Sequence, residues 1–200
     1  MRKHLTALTA AVLVLTAAPA AARSTPTATT WRVVGTGDSI LALSRTQLTS
    51  ADRWLDLEQG RQVDIPGNQQ RATTAEMLPR LLARSRPGGW VIVQDNAAQT
   101  TMTRWAEMLR TYTATIPDDR CILGVLPVYD ATVDPVAAAN AQTAANIMVR
   151  ELAAQPCHQF IRWNQAVQAD PTLTYDGQHP SPAGITWLAK AIDQTIGYRS

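Results

Sequence analysis

A serine, a histidine and an aspartate can together transfer an acyl group when the chain brings them into line. The stretch VVGTGDSILAL, Val33 to Leu43, sets Ser39 behind two β-branched residues and the glycines Gly35 and Gly37. Glycine suits places where backbone turns tightly or approaches something closely. A serine presented there is either a nucleophile or a helix cap. A nucleophilic serine needs a base. Beyond the N-terminal region the chain has two histidines, His158 and His179. His158 directly follows Cys157 and reads as a surface or packing residue. His179 lies in YDGQHPSPAG, three residues after Asp176. A turn there can fold the carboxylate onto the imidazole, set its tautomer and stabilise the imidazolium. The alternative is an Asp-Gly turn with a solvated histidine beside it.

These residues need elements to position them. WRVVGTG, GWVIVQ, CILGVLPV and QFIRW read as buried strands, and RQVDIP as a short one. Between them lie helical patterns. ALSRTQLTSADRWLDL is partly helical. TTAEMLPRLLARS opens with Thr73 and Glu76 at capping-box spacing and carries Pro79 inside. TTMTRWAEMLRTYTA is a helix, DPVAAANAQTAANIMVRELAAQ starts with an Asp134 cap and Pro135, and SPAGITWLAKAIDQTI closes the chain. Strands alternating with helices predict an α/β fold, a three-layer α/β/α arrangement around a flavodoxin-like five-stranded parallel sheet. Sites in such sheets form at the C-terminal strand ends. Ser39 follows the first strand and Asn96 follows VIVQ, whereas Cys121 and Cys157 precede consecutive strands.

Residues 1–22 read as a signal peptide: a basic start, an apolar Ala-rich run, and small-x-small cleavage sites after Ala20 or Ala22. Residues 23–30 then form a flexible arm and residues 31–200 one domain. The chain has 18 Lys+Arg and 16 Asp+Glu, and the surplus sits at Arg2 and Lys3 within the leader. This balance offers no electrostatic footprint for nucleic acid, and no further apolar run suggests a stable membrane anchor. In an exported chain the only two cysteines, Cys121 and Cys157, are either bridged or two buried thiols. Adjacent strands lie within bridging distance, so the layout favours a bridge. The six tryptophans are scattered and read as core. No Gly-x-Ser-x-Gly elbow, dinucleotide loop, phosphate loop or metal motif occurs, so no cofactor and no metal are expected.

GDS near the start, an asparagine after the middle strand and DGQHP near the end together resemble the SGNH (GDSL-type) hydrolase family. The resemblance runs from Trp31 to the final helix and is strongest over RWNQAV…YDGQHPSPAGITWLAKAI, which looks like the family's last strand, Asp-x-x-His loop and closing helix. It implies a secreted, bacterial-type serine esterase, with Ser39 as nucleophile, His179 as base and then acid, and Asp176 as its orienter. It also implies an oxyanion hole of the Ser39 N–H, the Gly67 N–H and the Asn96 side chain. Two departures stand out: Gln94-Asp95-Asn96-Ala97 keeps only the asparagine of the family's Gly-x-Asn-Asp, and Ile40 replaces a leucine. The expected partner is an ester substrate, an acylated carbohydrate or lipid, met by a monomer. The same residues would serve an O-acyltransferase acting on a carbohydrate hydroxyl. A catalytically silent binding module of the same fold is the reading from another class.

Overall fold

The computed structural model describes residues 31–49, 55–59, 74–95 and 101–197. Five strands form one parallel sheet in the order β2-β1-β3-β4-β5: β1 (Trp31–Gly37), β2 (Leu55–Gln59), β3 (Ser85–Gln94), β4 (Cys121–Val125) and β5 (His158–Ile161). This is the flavodoxin-like order. The helices between them are α1 (Ser39–Thr49), α2 (Thr74–Arg84), α3 (Met102–Thr115) and α4 (Pro135–Leu152). After β5 come α5 (Trp163–Ala169), a 3₁₀ turn (Pro171–Leu173) and α6 (Pro182–Thr195).

The layers follow from strand periodicity, since successive side chains point to opposite faces. Val33, Ile92, Leu123 and Val125 join the core under α1, α5 and α6. Val34, Val91, Val93 and Ile122 join the core under α2, α3 and α4. A sheet buried on both faces needs such near-continuous apolar strands. Four of the six tryptophans bear out their reading as core. Trp105 and Trp163 are fully buried, and Trp90 and Trp187 pack against the first core. The helix ends obey their caps: Asp134 accepts from the Val136 and Ala137 N–H groups, and Ser181 from that of Gly184.

Two expectations are corrected. The second strand is LDLEQ at Leu55–Gln59, where the sequence pattern reads as partly helical through Leu57; RQVDIP lies outside the described residues. The short alternation of Leu55 and Leu57 with Asp56 and Glu58 is a strand pattern that the preceding helical residues mask. The fifth strand also ends at Ile161, and Trp163 opens α5 instead of closing the strand. Pro79 is accommodated inside α2.

Cys121, the first residue of β4, and Cys157, just ahead of β5, form a disulfide with Cα atoms 4.6 Å apart. The Cys157 carbonyl also accepts from the Ile122 N–H, extending the β4–β5 pairing to the bridge. The bridge closes a loop whose ends are 36 positions apart. Constraining such a loop in the unfolded chain is worth about 4 kcal/mol, an upper figure for real bridges. Replacing both cysteines with serine is therefore expected to lower Tm by several degrees. Any ester turnover expected of Ser39 should stay, in the folded fraction at low temperature, within about twofold of the parent, because the bridge lies at the strand ends opposite to the end of β1 that leads into Ser39. A calorimetric scan beside an esterase assay checks both; an unchanged Tm or a collapse of turnover contradicts the assignment.

Candidate active site

In an open parallel sheet a crevice forms where neighbouring strands send their connections in opposite directions. Here that point lies between β1 and β3, because β1 leads to β2 on one side and β3 to β4 on the other. Ser39 follows β1 at this point. It is the first residue of α1, and Asp38 is its cap. The Asp38 side chain accepts from the Ile40 N–H at 2.9 Å, and the Asp38 carbonyl accepts from the Ala42 N–H at 3.0 Å. Ser39 is thus held half-buried at a helix N-terminus, where backbone N–H groups lack intrahelical partners and favour negative charge.

The turn is possible because residue 37 is glycine. Its backbone does not take a positive φ; the constraint is close approach. A Cβ there would lie 2.7 Å from Gln94 Oε1 and 2.9 Å from the Gln94 carbonyl oxygen.

His179 arrives on the loop between the 3₁₀ turn and α6. Thr174 and Pro180 bridge across its base, and the Tyr175 N–H donates to the His179 carbonyl. At its tip Gly177 takes φ of +86°, a conformation that other residues rarely adopt. The Gly177 carbonyl accepts from the Asp130 N–H at 2.8 Å, which ties the loop to the connection between β4 and α4. Asp176 is held within the turn. Its Oδ1 accepts from the Gln178 N–H at 3.0 Å and the His179 N–H at 2.7 Å.

Three side chains then stand in line. His179 Nε2 is 2.9 Å from Ser39 Oγ, and His179 Nδ1 is 2.6 Å from Asp176 Oδ2. With Asp176 ionised, Nδ1 carries the proton and donates, leaving Nε2 as the acceptor of the serine O–H. Partial burial alone would raise the Asp176 carboxyl. The N–H and ring of His179 and the Gln178 N–H outweigh it and hold the carboxyl below its ordinary range. Tyr175, largely exposed, stacks on the His179 ring with centroids 5.7 Å apart.

Gly67 and Asn96 lie outside the described residues. Gln94 and Asp95, which lead to Asn96, are buried at the end of β3, beside the turn that carries Ser39. His158 lies at the opposite strand ends, where its Nδ1 faces the Gln155 carbonyl at 2.7 Å. Sequence reasoning passed over Gln94 and the Gly177–Asp130 tie. A polar residue closing the apolar run VIV was the available signal for the first.

No family model matches the chain, and no curated protein matches it in sequence. Solved structures do match it in shape. The C-terminal catalytic domain of a Streptococcus pneumoniae peptidoglycan O-acetyltransferase superposes with a TM-score of 0.61 at 19% identity, covering 84% of this chain and 96% of that one. A Geobacillus stearothermophilus acetyl xylan esterase gives 0.55 at 14% identity, over 86% and 97%. An Enterococcus faecalis lipase/acylhydrolase gives 0.57 at 20% identity, over 82% and 94%. The chain has the SGNH-hydrolase fold. Within that comparison, catalytic mutants of the acetyl xylan esterase change a serine, an aspartate and a histidine, the last two three positions apart.

The Asp176 environment has a measurable consequence. A carboxyl whose folded-state value lies below its ordinary 3.8 stabilises the fold above that pH and loses its contribution as pH falls through the lower value. Asp176→Asn is therefore expected to melt below the parent at pH 7, with the difference shrinking as the pH falls below the ordinary carboxyl value of 3.8. The side chain is 42% exposed, so solvent screening limits the difference to about 1 kcal/mol or less. Melting curves of both proteins across this range check it, and a difference that grows on acidification contradicts it.

Proposed function

We propose that this protein is an exported serine hydrolase that cleaves carboxylic esters, acyl or acetyl, through Ser39, His179 and Asp176. The observation that carries this reading is the continuous contact from Ser39 Oγ to His179 to Asp176, at 2.9 and 2.6 Å. His179 Nε2 takes the serine proton as Oγ attacks the ester carbonyl. Asp176 keeps the ring in the right tautomer and stabilises the imidazolium that forms. The imidazolium then gives its proton to the departing alcohol. Water repeats the sequence on the acyl-enzyme: His179 takes its proton, and the carboxylic acid leaves Ser39. The oxyanion is held by the Ser39 N–H in the first turn of α1, together with the Asn96 side chain and the Gly67 N–H.

Several features support the reading. The serine, aspartate and histidine changed in the catalytic mutants of the acetyl xylan esterase have the residue types of Ser39, Asp176 and His179, with the same three-residue interval between the last two. The leader read in residues 1–22 and the Cys121–Cys157 bridge support export. A second reading, O-acyl transfer to a carbohydrate hydroxyl, is favoured by the similarity to the peptidoglycan O-acetyltransferase domain. The same three residues serve it, with a sugar hydroxyl in place of water.

Two experiments test the chemistry. An aryl phosphonate probe is expected to label Ser39 on the peptide containing GTGDSI, and Ser39→Ala and His179→Ala should each lose at least about 1,000-fold in ester turnover. Labelling at another residue, or ester hydrolysis that survives Ser39→Ala, overturns the nucleophile. Adding a carbohydrate acceptor to the assay separates the two readings by whether acyl-sugar or free acid accumulates. Asn96→Ala is expected to lower kcat by about 100- to 1,000-fold with a much smaller change in KM, since the oxyanion exists only in the transition state. A loss confined to KM would instead make Asn96 a substrate-binding residue.

A further inference from the structure

Gln94 is the last residue of β3 and only 1% exposed. A polar side chain so deeply buried is costly unless hydrogen-bonded. Its Oε1 accepts two backbone N–H groups, from Asp38 at 3.1 Å and from Leu41 at 3.1 Å. Both partners are donors, so only the oxygen of the carboxamide can face them. The Nε2 has no acceptor among the described residues. The residue is therefore held here by its oxygen.

These two N–H groups belong to the cap residue and the third residue of α1. In a capping box, the cap side chain takes the N–H of the third residue, and a Glu or Gln at the third position reaches back to the cap N–H. Here the third residue is Leu41, which cannot reach back, and Asp38 Oδ1 accepts from the Ile40 N–H. Gln94, from a neighbouring strand, supplies both missing acceptors with one oxygen. The N–H groups of Asp38, Ile40 and Leu41 are thereby satisfied inside the protein. Among the described residues no acceptor takes the remaining one, that of Ser39. Gly37 is the counterpart of this arrangement, since a Cβ there would collide with Gln94 Oε1.

We infer that Gln94 is a positioning residue that locks the turn carrying Ser39 from outside the helix. It fixes the direction of the serine side chain and leaves the Ser39 N–H as the donor available to an oxyanion. The inference rests on the reading of Ser39 as the nucleophile. It also accounts for Gln94 standing where the family pattern has the glycine of Gly-x-Asn-Asp: the side chain is used to hold the neighbouring turn.

The test compares Gln94→Met, which keeps the reach but removes the acceptor, with Gln94→Glu, which keeps an acceptor oxygen. Three quantities are measured: the rate of Ser39 labelling by a phosphonate probe, kcat and KM on an aryl ester, and hydrogen exchange of the Asp38 and Leu41 amides. For Gln94→Met, labelling and kcat are expected to fall by about 10- to 100-fold with KM within about twofold, as misplacement of a reacting group costs. The two amides should exchange faster. Gln94→Glu should keep the amides protected and label faster than Gln94→Met. Wild-type labelling in Gln94→Met, or equal losses in both variants, overturns the lock. If Gln94→Met does not fold, Gln94→Glu decides: protected amides with retained labelling support the lock, and protected amides with labelling abolished overturn it. If the parent protein itself is not labelled at Ser39, the proposed function fails. The lock is then judged on exchange alone, and unchanged amide protection in Gln94→Met overturns it.

Discussion

The contact between Ser39 Oγ and His179 Nε2 joins residues 140 positions apart, and the rest of the architecture can be understood from it. Hydrogen bonding needs the two atoms within a few tenths of an ångström of their optimum. Neither residue can achieve that from its own segment. Ser39 depends on β1 ending where it does and on α1 starting one residue after Asp38. His179 depends on a loop braced at its base by the Thr174–Pro180 bridge and at its tip by the Asp130–Gly177 bond. Ser39 directly follows β1 and the Asp130–Gly177 bond ties the His179 loop to the connection that follows β4, so the sheet is the common frame that brings the two side chains to 2.9 Å.

The parallel sheet separates two tasks. The crevice between β1 and β3 opens at the C-terminal strand ends, where chain direction leaves helix N-termini and loops to carry chemistry. The Cys121–Cys157 bridge ties the start of β4 to the approach of β5 at the other end. Stability added there does not constrain the loops that hold His179. Around the site the constraint is local hydrogen bonding instead. Asp176 binds two backbone N–H groups with one oxygen and the imidazole with the other. Gln94 does for the Ser39 turn what Asp176 does for the histidine loop: a side-chain oxygen collects backbone donors and so fixes the backbone beside Ser39 or His179.

Local signals in the sequence were sufficient for most elements. WRVVGTG corresponds to β1 residue for residue, Asp134 and Ser181 cap the helices they precede, and the spacing of Asp176 and His179 announces a turn that can pair them. The edge strand β2 and the short helix α5 were not legible. A five-residue alternation at Leu55–Gln59 follows a helical pattern without a strong breaker, and its strand state depends on pairing with β1. The segment after Ile161 turns helical beneath α6, where Trp163 packs against Trp187. In both places contacts distant in sequence outweigh a weak local preference.

By itself the sequence determined the alternation of strands and helices, the two apolar faces of the sheet, and the residue types able to transfer an acyl group, because these depend on periodicity and on chemistry carried within a few residues. It also placed Asp176 and His179 where a glycine turn can pair them, and the structure shows that it does. Only the tertiary structure decided that Ser39 and His179 meet, that Gly37 is required by the close approach of Gln94 and Leu41 rather than by a positive φ, and that one glutamine oxygen replaces a capping box. Each of these joins segments on different elements, and their distances follow from how the strands are ordered in the sheet, which no local pattern encodes.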